Sequence, residues 1–358
     1  MKDKLFHMID IIYYHFYRCI MWIVYKYKTI GIDKGADEIS PKYEKAIRSF
    51  WKSYYRRMDI SDYKWYKTKT NQKNIRFIPD IVFHTKIEPH FIDLASINAF
   101  SNKCYYSLFF HGFKVPYTVA KNINNIFMDD DFKILSQNEV KQLCLKEDEI
   151  LIKPAIDSGG GRNITFLQMK AEGADSQLEA ALAKYQRNFV IQRVIKQQEE
   201  LGKMNPSSLN CVRIQSFLYK SKVHILSAFL RVGLPGIRVD NLGQGGIAIA
   251  IKDNGEFHPV AYDGEGNIFY RHPNGYEFKG KEMPAFEEIV KSVKELHPRF
   301  ANFGIIGWDI AVDEEGDPVF IEFNLIDTCI RNSQLANGPF FRELTDDVLK
   351  EVFSKKKR

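Results

Sequence analysis

Gly307-Trp308-Asp309-Ile310-Ala311-Val312-Asp313-Glu314-Glu315-Gly316-Asp317-Pro318-Val319-Phe320-Ile321-Glu322-Phe323-Asn324 consists of two apolar runs around an acidic, glycine-containing turn. Alternation with a period of two makes each run a strand, and the turn makes the pair a hairpin. Glu322 and Asn324 then share one face of the second strand, and pairing can bring Asp309 of the first beside them. Three hard oxygen donors suit magnesium, which takes oxygen ligands and keeps places for water and substrate phosphate. Acidic residues beside hairpins are ordinarily solvated, so the hairpin by itself leaves a wetted surface as the alternative reading.

The 358 residues are enough for a full core and two or three subdomains. With 45% hydrophobic and 27% charged residues, and no repeat or low-complexity tract, a wholly disordered chain is excluded. The net charge of +6 is concentrated in the first 75 residues and in Lys355-Lys356-Lys357-Arg358. That balance fits an enzyme of anionic substrates or a protein beside an anionic membrane, and with no nucleic-acid motif present a nucleic-acid partner is not expected. Five scattered cysteines, none in a C-x-x-C pair, point to a reducing compartment, hence the cytoplasm. The aromatic stretch Leu5 to Tyr27 contains His7, Asp10, His15 and Arg18, which argues against a spanning helix. It is read as a helix packed on the body, with peripheral membrane contact as the second option.

Residues 1–100 read as a mainly helical N-terminal region, with helices near 4–28 and 41–57. Beyond it, 101–195 and 196–345 read as two α+β subdomains and 346–358 as a basic tail. A helix is expected over 103–111 and a strand from Val115. Ser136-Gln137-Asn138-Glu139 has capping-box spacing and starts a short helix. Helices and strands mix without a regular strand-helix-strand repeat, so the fold class is α+β rather than doubly wound.

Two further features carry chemistry. Asp157-Ser158-Gly159-Gly160-Gly161-Arg162 lies between two strands, where three glycines let backbone N–H groups turn toward an anion. It lacks the P-loop pattern and no helix follows, so a plain hairpin loop is the competing reading. Lys153 ends the apolar strand Glu149-Ile150-Leu151-Ile152-Lys153-Pro154, and an ammonium group against an apolar wall needs an anion. Lys103 raises the same question from a helix.

Taken together, Asn102-Lys103, Gly112-Phe113-Lys114-Val115-Pro116, Ile152-Lys153-Pro154 with Gly159 to Gly161, Phe189-Val190-Ile191-Gln192-Arg193-Val194-Ile195, and Asp309 with Glu322 and Asn324 resemble the ATP-grasp superfamily over about residues 100–330. Within it, the chain is most similar to the sugar-transfer-associated group. The resemblance implies two α+β subdomains sandwiching ATP, with a helical N-terminal extension. Lys103 and Lys153 would contact the nucleotide phosphates and Gly159, Gly160 and Gly161 would form a lid. Gln192, Arg193, Val194 and Ile195 would be the adenine hinge, although many relatives carry Glu at the position of Gln192. Glu199 or Glu200 would hold ribose. Asp309, Glu322 and Asn324 would hold Mg2+.

The segment Arg231 to Gly246 resembles the Arg-x6-Arg-x-x-Asn-x3-Gly-Gly segment of glutamate-ligase-like members. Arg231, Arg238 and Asn241 would there line the acceptor and γ-phosphate region, as catalytic residues, with Arg213 and Arg331 as further anion contacts. Cys329 is given no nucleophilic role. The implied activity is ATP-dependent carboxylate-amine ligation through an acylphosphate, in bacterial surface polysaccharide or sugar modification. Its small-molecule substrates would be a carboxylate and an amine, such as an amino acid and a sugar or nucleotide sugar. The alternatives are phosphoryl transfer to a hydroxyl and a nucleotide-binding assembly factor without turnover.

Overall fold

Alternating apolar residues build two antiparallel sheets in the computed structural model, which describes residues 2–56, 58–156, 161 and 163–354. The first has the order β3-β2-β1-β6-β4-β5, from β1 (Thr118–Ile123), β2 (Ile126–Met128), β3 (Ile134–Leu135), β4 (Glu149–Pro154), β5 (Thr165–Gln168) and β6 (Phe189–Arg193). The second runs β11-β10-β9-β8-β7-β12-β13. Its strands are β7 (Val212–Tyr219), β8 (Lys222–Val232), β9 (Ile247–Ile251), β10 (Phe257–Asp263), β11 (Ile268–Phe269), β12 (Ile305–Val312) and β13 (Pro318–Asn324). Antiparallel neighbours throughout, with helices laid on the sheets, make the fold α+β, as read from the sequence.

Each sheet has one apolar face and one face that carries polar groups. In the first, Ile150, Ile152, Phe189 and Ile191 pack with Val140 and Cys144 of the helix Gln137–Lys146 and Leu178 and Leu182 of the helix Ala174–Tyr185. Ser136 caps the former helix: its hydroxyl accepts from Glu139 N at 3.2 Å and Glu139 Oε2 accepts from Ser136 N at 2.7 Å, a cap worth about 1 kcal/mol. In the second sheet, Ile214, Leu230, Ile249, Trp308, Ile310 and Phe323 bury against Ile289, Val293 and Leu296 of the helix Phe286–Leu296. Each such fully buried side chain contributes about 1.5–3 kcal/mol. The opposite faces are left to carry Lys153 and Gln192 in one sheet and Arg213, Arg231 and Asp309 in the other.

The N-terminal region supplies α1 (Lys2–Thr29), α2 (Pro41–Trp51) and α3 (Ser61–Thr70). Trp51, Tyr63, Tyr66, Phe77 and Phe83 pack there with Phe217, Leu226, Ile305 and Phe341, so this region shares a core with the second sheet and the C-terminal helices. Two local expectations shift. The strand expected from Val115 begins at Thr118, because Pro116 has no N–H to give a ladder and Lys114 O is used instead by Phe320 N at 2.9 Å. The helix expected over 103–111 is a 3₁₀ turn, Lys103–Tyr105, followed by the helical turn Tyr106–Phe109. Asn102 starts it, with Oδ1 accepting from Cys104 N at 3.0 Å. No helix among the described residues is long and apolar enough to cross a membrane.

Candidate active site

Strand register assembles the site. In antiparallel pairs, directly opposed residues project to the same face. Asp309 lies opposite Glu322 of β13 and opposite Arg213 of β7, while Gly307 lies opposite Asn324. Arg213 in turn lies opposite Phe229, and Arg231 follows two residues later on that face. The three proposed metal ligands and two arginines therefore meet on one side of the second sheet.

Their contacts are short and buried. Arg213 donates to Asp309 through Nε at 2.5 Å and through a terminal nitrogen at 2.9 Å. Arg231 stands 3.3 Å from the same carboxylate and 3.2 Å from Asp240 Oδ2. Asn324 Nδ2 donates weakly to Asp309 Oδ2 at 3.4 Å and to Gly307 O at 3.3 Å. Burial alone would raise the Asp309 carboxyl, but the two guanidinium groups win and hold it down at about 2. Asp240 goes the other way: burial lifts its carboxyl above the usual range despite Arg231.

The first sheet faces this cluster with lysines. Lys153 lies opposite Val190, and Gln192 lies opposite Leu151, on the face turned away from the helices. Burial first, and Lys103 second, push the Lys153 ammonium down to about 8. No carboxylate pairs with it among the described residues. Lys103, on the 3₁₀ turn, is held by a bond from its N to Ala155 O at 2.9 Å and places Nζ 3.3 Å from Glu322 Oε2. Around this cleft Lys103, Lys153, Arg213 and Arg231 face Asp309, Glu322 and Asp240, which leaves an excess of positive charge for a polyphosphate.

The end of β6 leaves polar atoms unused. Gln192 is buried and its Oε1 has no hydrogen-bond partner among the described residues, which leaves a buried acceptor unsatisfied. Arg193 N donates to Tyr117 O at 3.0 Å and Val194 N to Glu149 O at 3.2 Å, whereas Ile195 N meets no acceptor among the described residues. The Arg193 side chain points outward, to Glu147 at 2.5 Å.

Other expected residues lie elsewhere. Arg238 donates to Glu149 at 2.6 Å and covers the Phe166 ring at 3.8 Å, so it bridges the second subdomain to the β4–β5 hairpin rather than joining Arg231. Its neighbour Val239 would stand 3.0 Å from a Cβ at Gly161, at the end of the glycine loop. Gly159, Gly160 and Arg162, like the basic run from Lys355, lie outside the described residues. Asn241 shapes the following turn, accepting from Gly243 N at 2.8 Å. Gly246 is required there, because a Cβ would lie 2.6 Å from Asp240 O. Glu199 is exposed and pairs with Lys203 at 3.0 Å, while Glu200 accepts from the Tyr276 hydroxyl at 2.6 Å. Arg331 turns to Asp80, 2.5 Å away.

Two contributors escaped the sequence reading. Lys121, fully buried in β1 and also opposite Val190, donates to Asp130 O at 2.9 Å; a lysine inside an apolar strand was the available signal. Asp240 lay within the quoted arginine segment, but nothing local marked it as the partner of Arg231. The acidic turn has a different use from the metal site. Asp313, Glu315 and Asp317 surround the Lys114 ammonium at 2.5, 2.5 and 2.9 Å, so a lysine occupies the centre of that cluster.

Two antiparallel layers that close a cationic cleft over an Asp-Glu-Asn cluster define the ATP-grasp fold. The chain belongs to the sugar-transfer associated ATP-grasp family, whose model matches residues 83–350. Among solved structures, it is similar to biotin carboxylase from Campylobacter jejuni, with a TM-score of 0.46 and 11% identity over 74% of this chain and 48% of that one. It is also similar to the D-cycloserine synthetase DcsG, with a TM-score of 0.45 and 12% identity over 72% of this chain and 73% of that one. The VanG D-Ala:D-Ser ligase from Enterococcus faecalis matches with a TM-score of 0.42 and 13% identity over 70% of this chain and 60% of that one. The chain thus spans about half the length of the biotin carboxylase. No curated protein matches in sequence.

Proposed function

We propose that this protein is an ATP-dependent carboxylate-amine ligase that works through an acylphosphate. What carries the reading is the meeting of Asp309, Glu322 and Asn324 with four buried or half-buried cations across two sheets. Oxygen-only donors of this kind suit Mg2+ bound with ATP, and the partnerless Gln192 Oε1 suits the adenine amine. Magnesium bound by these three residues would neutralise charge on the polyphosphate as the γ-phosphoryl group transfers.

The chain's own residues do the rest. Lys103 and Lys153 bind phosphate oxygens, and Lys103 gives up Glu322 to do so. A substrate carboxylate oxygen attacks the γ-phosphorus and ADP leaves. Arg231, fixed between Asp240 and Asp309, remains charged and stabilises the developing negative charge. The amine then attacks the acyl carbon, phosphate departs, and the amine's proton is lost. Arg238, bonded to Glu149 of the other subdomain, helps to keep out of the cleft the water that would otherwise hydrolyse the acylphosphate.

The family's description supports a carboxylate or amine borne by a sugar or sugar precursor, an amino acid being the other partner. We place the protein in the cytoplasm, peripheral to the membrane through α1. The test is ADP release screened over amino acids and nucleotide sugars, with mass spectrometry of the product. An amide with free phosphate is expected, and Glu322→Ala should abolish turnover. A phosphorylated acceptor, or full ADP release by Glu322→Ala, overturns the reading.

A further inference from the structure

We infer that a cavity in the helical layer, apart from the ATP cleft, binds an organic phosphate, with the phosphate group on Arg18 and Lys86 and a ring-shaped body on Tyr54 and Tyr55.

The cavity holds about 370 Å³ and lies where α1, the stretch after α2, the turn Phe83–Ile87 and the C-terminal helix Thr345–Phe353 converge. That is small-molecule size, since sites for such ligands run from about 300 to 1,000 Å³. No residue of the ATP cleft lines it.

Its cations lack an anion. Tyr14 and Arg18, one turn apart on α1, are both half-buried against the body. Arg18 Nε donates to Thr85 O at 2.8 Å, and the guanidinium carbon lies 5.3 Å from the centre of the Tyr14 ring. The group is thereby fixed at the wall, and its terminal nitrogens meet no acceptor among the described residues. Lys86 stands close by: burial first, and Arg18 second, lower its ammonium. Neither cation pairs with a carboxylate among the described residues. Acidic groups of the C-terminal helix are engaged elsewhere, Glu351 by the Tyr219 hydroxyl at 2.9 Å and Asp346 by Arg76 at 2.7 Å. Two half-buried like charges side by side cost free energy until an anion joins them. A doubly charged phosphate monoester matches this deficit and offers acceptor oxygens to both side chains.

The remaining wall selects the body. Tyr54 and Tyr55 flank Phe353, with ring centroids 6.3 and 6.4 Å from it, and both are half-buried. Neither hydroxyl makes a hydrogen bond among the described residues, so the wall presents ring faces and polar tips together. A pyranose or a nucleobase meets both. Inorganic phosphate would meet the cations alone, and an acyl chain would leave the hydroxyls unpaired.

Calorimetric titration of the full chain with glucose 1-phosphate, uridine monophosphate and inorganic phosphate tests this. An organic phosphate should bind saturably and at least tenfold tighter than inorganic phosphate, and the better of the two identifies the ring. Lys86→Gln and Arg18→Gln should each weaken that binding about tenfold. Lys86→Gln also relieves the repulsion, so the ligand-free variant should melt no earlier than the unaltered chain, which separates a lost contact from a lost fold. Arg18→Gln forfeits the bond to Thr85 as well, so Lys86→Gln decides if that variant is destabilised. Lys153→Met, which alters only the ATP cleft, should leave the binding unchanged. Failure of both organic phosphates to saturate overturns the inference, as does equal affinity for inorganic phosphate. So does binding that Lys86→Gln leaves intact or that Lys153→Met abolishes. Turnover is not read in this titration, so the cavity site and the ligase reading fail separately.

Discussion

Arg213 grips Asp309 with two donors, Nε at 2.5 Å and a terminal nitrogen at 2.9 Å, and both side chains are almost fully buried. A buried pair of this kind gives little net stability when intact, because desolvating both charges offsets their attraction. Losing one partner is another matter. Asp309→Ala would leave Arg213 and Arg231 buried without their shared anion, and a loss of about 3–5 kcal/mol is expected in urea unfolding. Asp309→Asn should be milder in stability and still lose magnesium-dependent ADP release by about two orders of magnitude or more.

The same carboxylate sets an acid limit. Its pKa is about 2 in the folded chain, below the ordinary value of 3.8. A depressed carboxylate stabilises the fold above the unfolded value and loses that contribution as pH falls through the folded one. Between about pH 4 and pH 2 the Asp309 contribution, about 2 kcal/mol, should disappear. Unfolding curves of the unaltered chain and Asp309→Asn should therefore converge in that window.

Lys153 behaves in the opposite sense. Its ammonium is lowered to about 8, so the charged form is disfavoured in the folded protein, and the cost is present in full below pH 8. Between about pH 8 and 10.5 the unfolded chain holds more protons, so stability should rise with pH from this group. Lys153→Met should then raise the stability of the nucleotide-free protein at pH 7 by about 1–3 kcal/mol while weakening ADP binding at least tenfold. Binding of ADP at pH 8.5 should take up a proton, seen as a calorimetric heat that changes with the ionisation enthalpy of the buffer.

Gly246 can be tested without touching a charge. An alanine Cβ would lie 2.6 Å from Asp240 O and 3.0 Å from Asn241 O, both backbone atoms that cannot rotate away. Gly246→Ala should displace Asp240 from Arg231, cost about 1–3 kcal/mol and reduce ADP release. Gly202→Ala, where the backbone is not left-handed and the nearest neighbour is Gln197 Cγ at 3.9 Å, should leave turnover unchanged, and equal loss in the two variants would remove the steric argument.

Much of the fold was legible because its signals are local. Alternation marked β12 and β13, capping-box spacing marked the helix after Ser136, and the lysine at the end of an apolar strand marked Lys153. Arg238 shows where such reading stops. The family resemblance implied a task beside Arg231, and in the structure the loop carries Arg238 to Glu149 on the other subdomain. Glu199 and Glu200 are adjacent in sequence, but one is in solvent and the other is held by Tyr276 and Lys281.

By itself, then, the amino-acid order determined the α+β class and the common face of Glu322 and Asn324, since a strand's two-residue period needs no distant partner. It also determined that α1 is amphipathic. Tertiary structure alone decided that Arg213, 96 residues from Asp309, is its counter-ion, and that Lys114 rather than a metal fills the acidic turn. It also decided which face of α1 stays exposed. These depend on strand register and burial, and the energy of a charge is set by neighbours that chain order does not name.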